Sequence, residues 1–391
     1  MEPRTLVLDG NQRASLAAVR SLGAKGLWVA VGESSVPSMA GNSKFSKRSF
    51  AYPNPLDCPR RFFDALLQTI NEYGITFLLP ITEATTYVVL RYRDELPSSV
   101  TLPFPSETSV EQLANKNQLF KFASEQRIPI PPTVYCQTRQ DGLAELEQWA
   151  EFPVVLKPFK SKILQADGIV STRVLIAKTI EEAMQLLKSN DFFDFPFTIQ
   201  SFIEGRGQGV FALFNDGRPV CYFSHRRLRE KPPGGGVSVL SESVPLDDQL
   251  KASAEKLLVG ANWHGVAMVE FRVTPSGTGY LMEVNPRFWG SLQLAIDSGI
   301  DFPWLLYRVC TGEEVPEITW RQRRVRWILG DLDRLFIILK SPTSNYSLGR
   351  KLLEILRFCR PGLRTRHEVN RWRDLHPFWF ELKQYLRALK G

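Results

Sequence analysis

Residues 280–290 read "YLMEVNPRFWG", and they begin as a strand and cease to be one at Pro286. Tyr280, Met282 and Val284 alternate as the buried face of a strand should. Glu283, Asn285 and Arg287 take the opposite face, so an acid, an amide and a guanidinium stand in a row on a mostly apolar segment. Just upstream, "GVAMVEFRV" (265–273) has strand character, and "TPSGTG" (274–279) supplies hairpin chemistry through Gly277 and Gly279. A loop centred between Ser276 and Gly277 sets Glu270 directly opposite Glu283, with Asn285 two residues along the same face. Like charges placed opposite destabilise a sheet, so the pair requires a compensating positive partner. A divalent cation supplies one, since two carboxylates and an amide oxygen are hard ligands of the kind Mg²⁺ takes. The bland alternative is a charged solvent face with Arg272 and Arg287 as ordinary ion partners.

Outward from this hairpin, the chain begins with strand–turn–helix–strand. "TLVLDG" ends at Asp9-Gly10, "ASLAAVRSLGAKG" is helical, "LWVAVGES" is a second strand, and another helix and strand follow in "CPRRFFDALLQTINEYG" and "ITFLLPIT". This predicts a parallel, Rossmann-like domain over 1–105, although "DGNQRAS" lacks the G-x-G-x-x-G spacing of a dinucleotide site. "FPVVLKPF", "FTIQSFIEG", "GVFALFN" and "PVCYFSHRR" read as further strands, and "NDGR" between the last two is a hairpin turn.

The 391 residues exceed one ordinary core, and 43% hydrophobic with 23% charged residues is the balance of a globular protein. No run suits a spanning helix, the N-terminus lacks a signal-peptide pattern, and five scattered cysteines suggest reduced thiols. A cytoplasmic location follows as an expectation. From Arg321 onward the chain holds 17 Lys/Arg against 6 Asp/Glu, so that segment is +11 and the remainder −3. Such a tail is either a helical extension with solvated basic faces or a contact, peripheral to a membrane or on a polyanionic glycan. Nucleic acid ranks last, as no reading motif is present.

The order "NKNQLFKFASEQRIPIP", "FPVVLKP", "IQSFIEG", "VEFRV…GYLMEVNPRFWGS" resembles the ATP-grasp superfamily over roughly residues 1–310. Within it the chain is similar to carboxylate–amine ligases near biotin carboxylase and the carbamoyl-phosphate synthetase large subunit. The resemblance implies a mixed α/β and α+β chain: a Rossmann-like domain (1–105), ATP-grasp subdomains over 106–195 and 196–315, and a basic helical extension over 316–391. It implies ATP and Mg²⁺ (or Mn²⁺) as cofactors, with Lys116 and Lys157 on the nucleotide's phosphates. Gln200 and the Ser201, Phe202 and Ile203 backbone would read adenine, with Glu204 near the ribose. Glu270, Glu283 and Asn285 would hold metal, and Arg287 would steady an acyl-phosphate step.

The segment "KPFKSKILQADGIVST" departs from the family's glycine-rich phosphate loop, with Gly168 its one glycine, and Lys160, Ser161 and Lys162 could substitute charge. In "SHRRLREKPPGGGVSV" (224–239), Arg227, Arg229 and Lys231 alternate, so they are expected to share one face. They would bind a carboxylate or phosphoryl group, Arg229 catalytically, beneath a glycine lid at 232–236. His225 reads as a local hydrogen-bonder rather than a base. The expected activity is ATP-dependent joining of a small-molecule carboxylate to an amine through an acyl phosphate. A carboxyphosphate-using carboxylase and a non-catalytic nucleotide-binding scaffold are the alternatives, and a homodimer is left open.

Overall fold

The computed structural model describes residues 3–160, 162–165, 168–233, 236–360, 362 and 365–389. The first unit is a parallel sheet ordered Arg48–Ala51, Trp28–Glu33, Arg4–Val7, Phe77–Leu79. Except for the exposed edge strand Arg48–Ala51, its strands are short, mostly apolar runs because helices cover the sheet, among them Arg13–Ala24 and Pro59–Tyr73. Asp9 closes the first turn with a left-handed φ of 59°. Its buried carboxylate accepts from the Ile81 and Thr82 N–H groups at 3.0 and 2.8 Å and from the Thr85 hydroxyl at 2.6 Å. The turn at the first strand thereby fixes the start of helix Glu83–Arg91, at the carboxyl end of the sheet.

The second unit is an antiparallel sheet ordered Thr133–Cys136, Phe197–Ser201, Val154–Pro158, Leu175–Ala177. Helices Arg139–Gln148 and Ile180–Ser189 close its own core, which includes Leu146, Leu156, Leu187 and Phe197. Strand Phe197–Ser201 lies in the middle of this sheet, one element past the expected boundary at 195/196. The glycine-poor segment forms a two-stranded hairpin, Lys162–Gln165 against Gly168–Ser171; Ser161 lies outside the described residues. The hairpin rests on the first unit, with the Ile169 N–H donating to the Leu56 carbonyl at 2.8 Å.

The largest sheet has seven strands, ordered Gly279–Asn285, Gly265–Val273, Arg206–Asn215, Arg218–Lys231, Val237–Ser243, Arg324–Arg326, Thr365–His367. "NDGR" makes the expected tight hairpin, with Asn215 paired to Arg218 and positive φ at Asp216 and Gly217. The last two strands come from the basic tail, and only their mutual pairing is parallel. The tail is otherwise helical, over Ile328–Lys340, Leu348–Cys359 and His376–Ala388. It returns to the first unit, where Asp374 accepts from Arg20 Nε at 2.8 Å, the Ser43 hydroxyl at 2.7 Å and the Lys44 N–H at 2.9 Å. No described helix is long and apolar enough to cross a membrane.

Gly265 joins the large sheet to the first unit. Its φ is +91°, and a Cβ there would lie 2.3 Å from the Pro103 carbonyl oxygen. Gly265→Ala is expected to cost about 2 kcal/mol or more, from left-handed strain plus the displaced backbone. A lowered midpoint in chemical unfolding is the check.

Candidate active site

The cross-strand pair forms as expected: Glu270 lies opposite Glu283, with Val269 opposite Val284 and Met268 opposite Asn285. The ladder nearer the turn is shifted, since Phe271 pairs with Leu281 and Arg272 with Tyr280. Met282 is the extra residue, a β-bulge that re-aims the strand. The expected buried face of Tyr280, Met282 and Val284 is therefore corrected: Leu281 and Val284 are the buried pair, because the bulge moves the alternation by one residue. It also leaves the Met282 carbonyl outside the ladder, and Lys157 Nζ donates to it at 2.8 Å. After Pro286 the chain is anchored by buried Phe288 and Trp289, the latter packed on Phe211 at 4.2 Å and edge-on to Phe302. Those rings hold Arg287 at the cleft.

Lys157 reaches this point because its strand buries Val154, Leu156 and Pro158. Lys116 starts helix Lys116–Glu125, which Asn115 caps at its N-terminus, and its own N–H donates to the Phe159 carbonyl at 3.0 Å. The two lysines, on separate elements, converge beside one carboxylate: Lys116 Nζ is 3.8 Å from Glu283. Asn285 donates to Glu283 at 3.0 Å, and Arg287 reaches the Asn285 amide oxygen at 3.4 Å and the Phe288 carbonyl at 3.1 Å. Arg287 Nε is buried and has no partner among the described residues, so a donor remains for a ligand.

These neighbours separate the two acids. Burial alone would raise both. For Glu283 it is outweighed by Lys116 and Lys157, then by the Asn285 amide and Arg287, which hold its pKa at about 2. Glu270 is raised, chiefly by burial, with the Arg227 ion pair opposing and the Glu283 charge adding. Lys157 is pulled down to about 8, by burial and then by Lys116, against the two glutamates. Its ammonium is thus lost within an accessible range. Affinity for metal-free ADP should fall about tenfold between about pH 7 and about pH 9 as one charge on the phosphates disappears. Lys157→Met should remove that inflection, as read by calorimetry at each pH.

Arg229 does not join this group, contrary to the expectation that it shares a face with Arg227. Leu228 is a bulge, unpaired between Arg227 opposite Ser241 and Arg229 opposite Leu240. The alternation breaks there. Arg227 pairs with Glu270, whereas Arg229 donates to Asp331 at 2.6 Å and to the Arg357 carbonyl at 2.8 Å, and Lys231 pairs with Asp333. Arg229 thus fastens the tail and is withdrawn from the catalytic set. His225 is buried and neutral, its pKa driven down to about 3 by burial and by Arg227. Its Nε2 lies 3.0 Å from the Ser291 hydroxyl. Of the lid segment, Gly234 and Gly235 lie outside the described residues.

The residues expected to read adenine sit where strand Phe197–Ser201 ends. The N–H groups of Ser201 and Phe202 are already spent on the Pro132 and Pro153 carbonyls, at 3.0 and 3.2 Å, and the Gln200 amide donates to the Thr133 hydroxyl at 2.8 Å. Ile203 follows, partly buried, and Glu204 is exposed. Lys160 pairs with Glu111 at 2.7 Å and Lys162 with the Ser171 hydroxyl at 2.6 Å, so their charges are directed to the hairpin and its neighbour helix.

Two residues were not expected. Glu83 and Tyr87, one turn apart on the helix that Asp9 positions, line a pocket with Lys116, Glu283, Asn285 and Arg287. Burial raises the Glu83 pKa, with Arg287 and Lys116 opposing. Their position at the carboxyl end of a parallel sheet was the available signal, since ligands of open α/β sheets gather there.

Among the described residues no group of three or more His, Cys, Asp or Glu could hold a metal ion. The candidate donors are two carboxylates and one amide oxygen. That oxygen-only set fits Mg²⁺, which takes its remaining ligands from water and phosphate.

Residues 197–329 match the family described as "ATP-grasp in the biosynthetic pathway with Ter operon". No curated protein sequence matches the chain. Solved structures do. An L-amino acid ligase from Bacillus licheniformis is similar at 18% identity and a TM-score of 0.62, over 82% of this chain and 79% of that one. The N5-carboxyaminoimidazole ribonucleotide synthetase of Thermus thermophilus is also 18% identical, with a TM-score of 0.61 over 82% of each chain. The biotin carboxylase domain of Hydrogenobacter thermophilus 2-oxoglutarate carboxylase, solved with MgADP and bicarbonate, is 12% identical, with a TM-score of 0.65 over 82% of this chain and 73% of that one.

Proposed function

We propose that this chain, which has the ATP-grasp fold, is an ATP-dependent enzyme that joins a carboxylate to an amine through an acyl phosphate. The observation that carries the reading is the convergence of Lys116, Lys157, Asn285 and Arg287 on Glu283, opposite Glu270. In this reading the γ-phosphoryl group passes to a substrate carboxylate oxygen with release of ADP. The amine then attacks the acyl carbon, the C–N bond forms, and phosphate leaves with the acyl oxygen. Lys116 and Lys157 bind the phosphates as compact charges, and Arg287 offers its free Nε–H to the charge that develops on the acyl oxygen. Glu270, Glu283 and Asn285 would hold Mg²⁺, which when bound neutralises phosphate charge. Gln200 and the backbone at 201–203 would face the base with Glu204 near the ribose, the Ser201 and Phe202 N–H groups being already paired with the Pro132 and Pro153 carbonyls. The unexpected pair, Glu83 and Tyr87, lines the same pocket and would contact an acceptor substrate there.

ADP release from Mg²⁺-ATP, screened over amino acids singly and in pairs and followed by mass detection of the product, tests the reading. A dipeptide or other amide is expected. ADP release that depends on bicarbonate alone would instead favour carboxyphosphate chemistry, and no release with any acid and amine would remove the ligase reading.

A further inference from the structure

Helix Leu348–Cys359 is turned inside out. Its buried side chain is Glu354, held by Arg334 at 2.8 Å and Arg357 at 2.7 Å. Lys351, on the same side, donates to the Leu339 and Ser341 carbonyls at 2.9 and 2.6 Å. The polar face is thus the docked face. Leu348, Leu352 and Leu356, spaced at i, i+4 and i+8, are 74%, 59% and 53% exposed. A surface helix in water normally does the reverse. Phe336 and Ile337 are exposed on the adjoining helix Ile328–Lys340, and Trp372 is 93% exposed between Arg371 and Arg373.

We propose that this outward leucine face lies on an anionic lipid bilayer. Two observations select that occupant. The helix has 12 residues, too short to span a bilayer but sufficient to lie in its interface. Exposed Arg350 lies on this helix and exposed Arg360 at its end, in a segment that is +11 overall, complementary to an anionic leaflet. A glycan or nucleic acid would meet the charge and leave the leucines in water. A second copy docked isologously would bring the two arginine sets together.

The test uses the full chain and sedimentation with vesicles of phosphatidylcholine alone or with phosphatidylglycerol. Binding to the anionic vesicles is expected, weakened by salt, and about tenfold weaker for Leu352→Glu/Leu356→Glu. Both positions are exposed, so an unchanged unfolding midpoint should accompany the loss. Absence of binding to anionic vesicles overturns the proposal, as does binding that the double variant leaves intact. A wild-type dimer without lipid that the variant converts to monomer also overturns it, and assigns the face to a second copy. ADP release plays no part in these readings, so this proposal and the ligase reading fail separately.

Discussion

Glu283→Gln is expected to lower ADP release by about a hundredfold to a thousandfold, while metal-free ADP binds as well as before or more tightly. The two effects have one cause. Glu283 is the carboxylate on which Lys116, Lys157, Asn285 and Arg287 converge, and they hold its pKa at about 2. Neutralising it removes a candidate metal ligand and weakens Mg²⁺ binding. It also frees Lys116 from its nearest negative charge, which strengthens its hold on bare phosphates and offsets the support that the Lys157 ammonium loses. A merely misfolded variant would lose both activities. Activity retained at the wild-type level, at any Mg²⁺ concentration, would remove the cleft from the catalytic account. Titrations of ADP with and without Mg²⁺, beside the ADP-release assay, separate the outcomes.

Asp374→Ala is expected to destabilise the protein by about 3–5 kcal/mol, the cost of stranding a buried cation. Asp374 is 3% exposed and accepts from Arg20, Ser43 and Lys44 of the first unit, more than 300 residues earlier in the chain. Arg20 further donates to the Glu368, Val369 and Asp374 carbonyls, so its guanidinium is committed to the tail. Without the carboxylate, Arg20 remains buried and only partly paired. Urea unfolding followed by circular dichroism measures the loss. A shift within experimental scatter would mean that the tail does not staple the first unit to the large sheet.

Much of the site was legible because it is local. Glu270 and Glu283 belong to one hairpin, and a short loop with two glycines restricts the register. The match has a structural reason that the residues do not announce. The turn is offset by one position, and the bulge at Met282 restores the pairing at the glutamates. The same bulge displaces the predicted buried face and gives Lys157 its carbonyl partner. At Leu228 a second bulge acted against the prediction and separated Arg229 from Arg227. A bulge costs one unpaired residue and depends on what lies above and below the sheet, so alternation alone does not reveal it.

By itself the sequence determined the parallel opening unit, the acidic hairpin, the two lysines at element ends and the excess charge of the tail. Each follows from periodicity, turn chemistry or composition over a few residues. Tertiary structure alone decided what meets what. Glu83 and Tyr87 reach the cleft because Asp9, in the turn after the first strand, holds the Ile81 and Thr82 N–H groups where their helix begins. The tail became part sheet because an edge strand at Val237–Ser243 had open backbone groups to pair. Helix Leu348–Cys359 is amphipathic in sequence, but its orientation was set by Glu354 finding Arg334 of helix Ile328–Lys340. Burying that ion-paired face left the leucines outward, a choice that depends on a partner on another helix and so is not written in this helix itself.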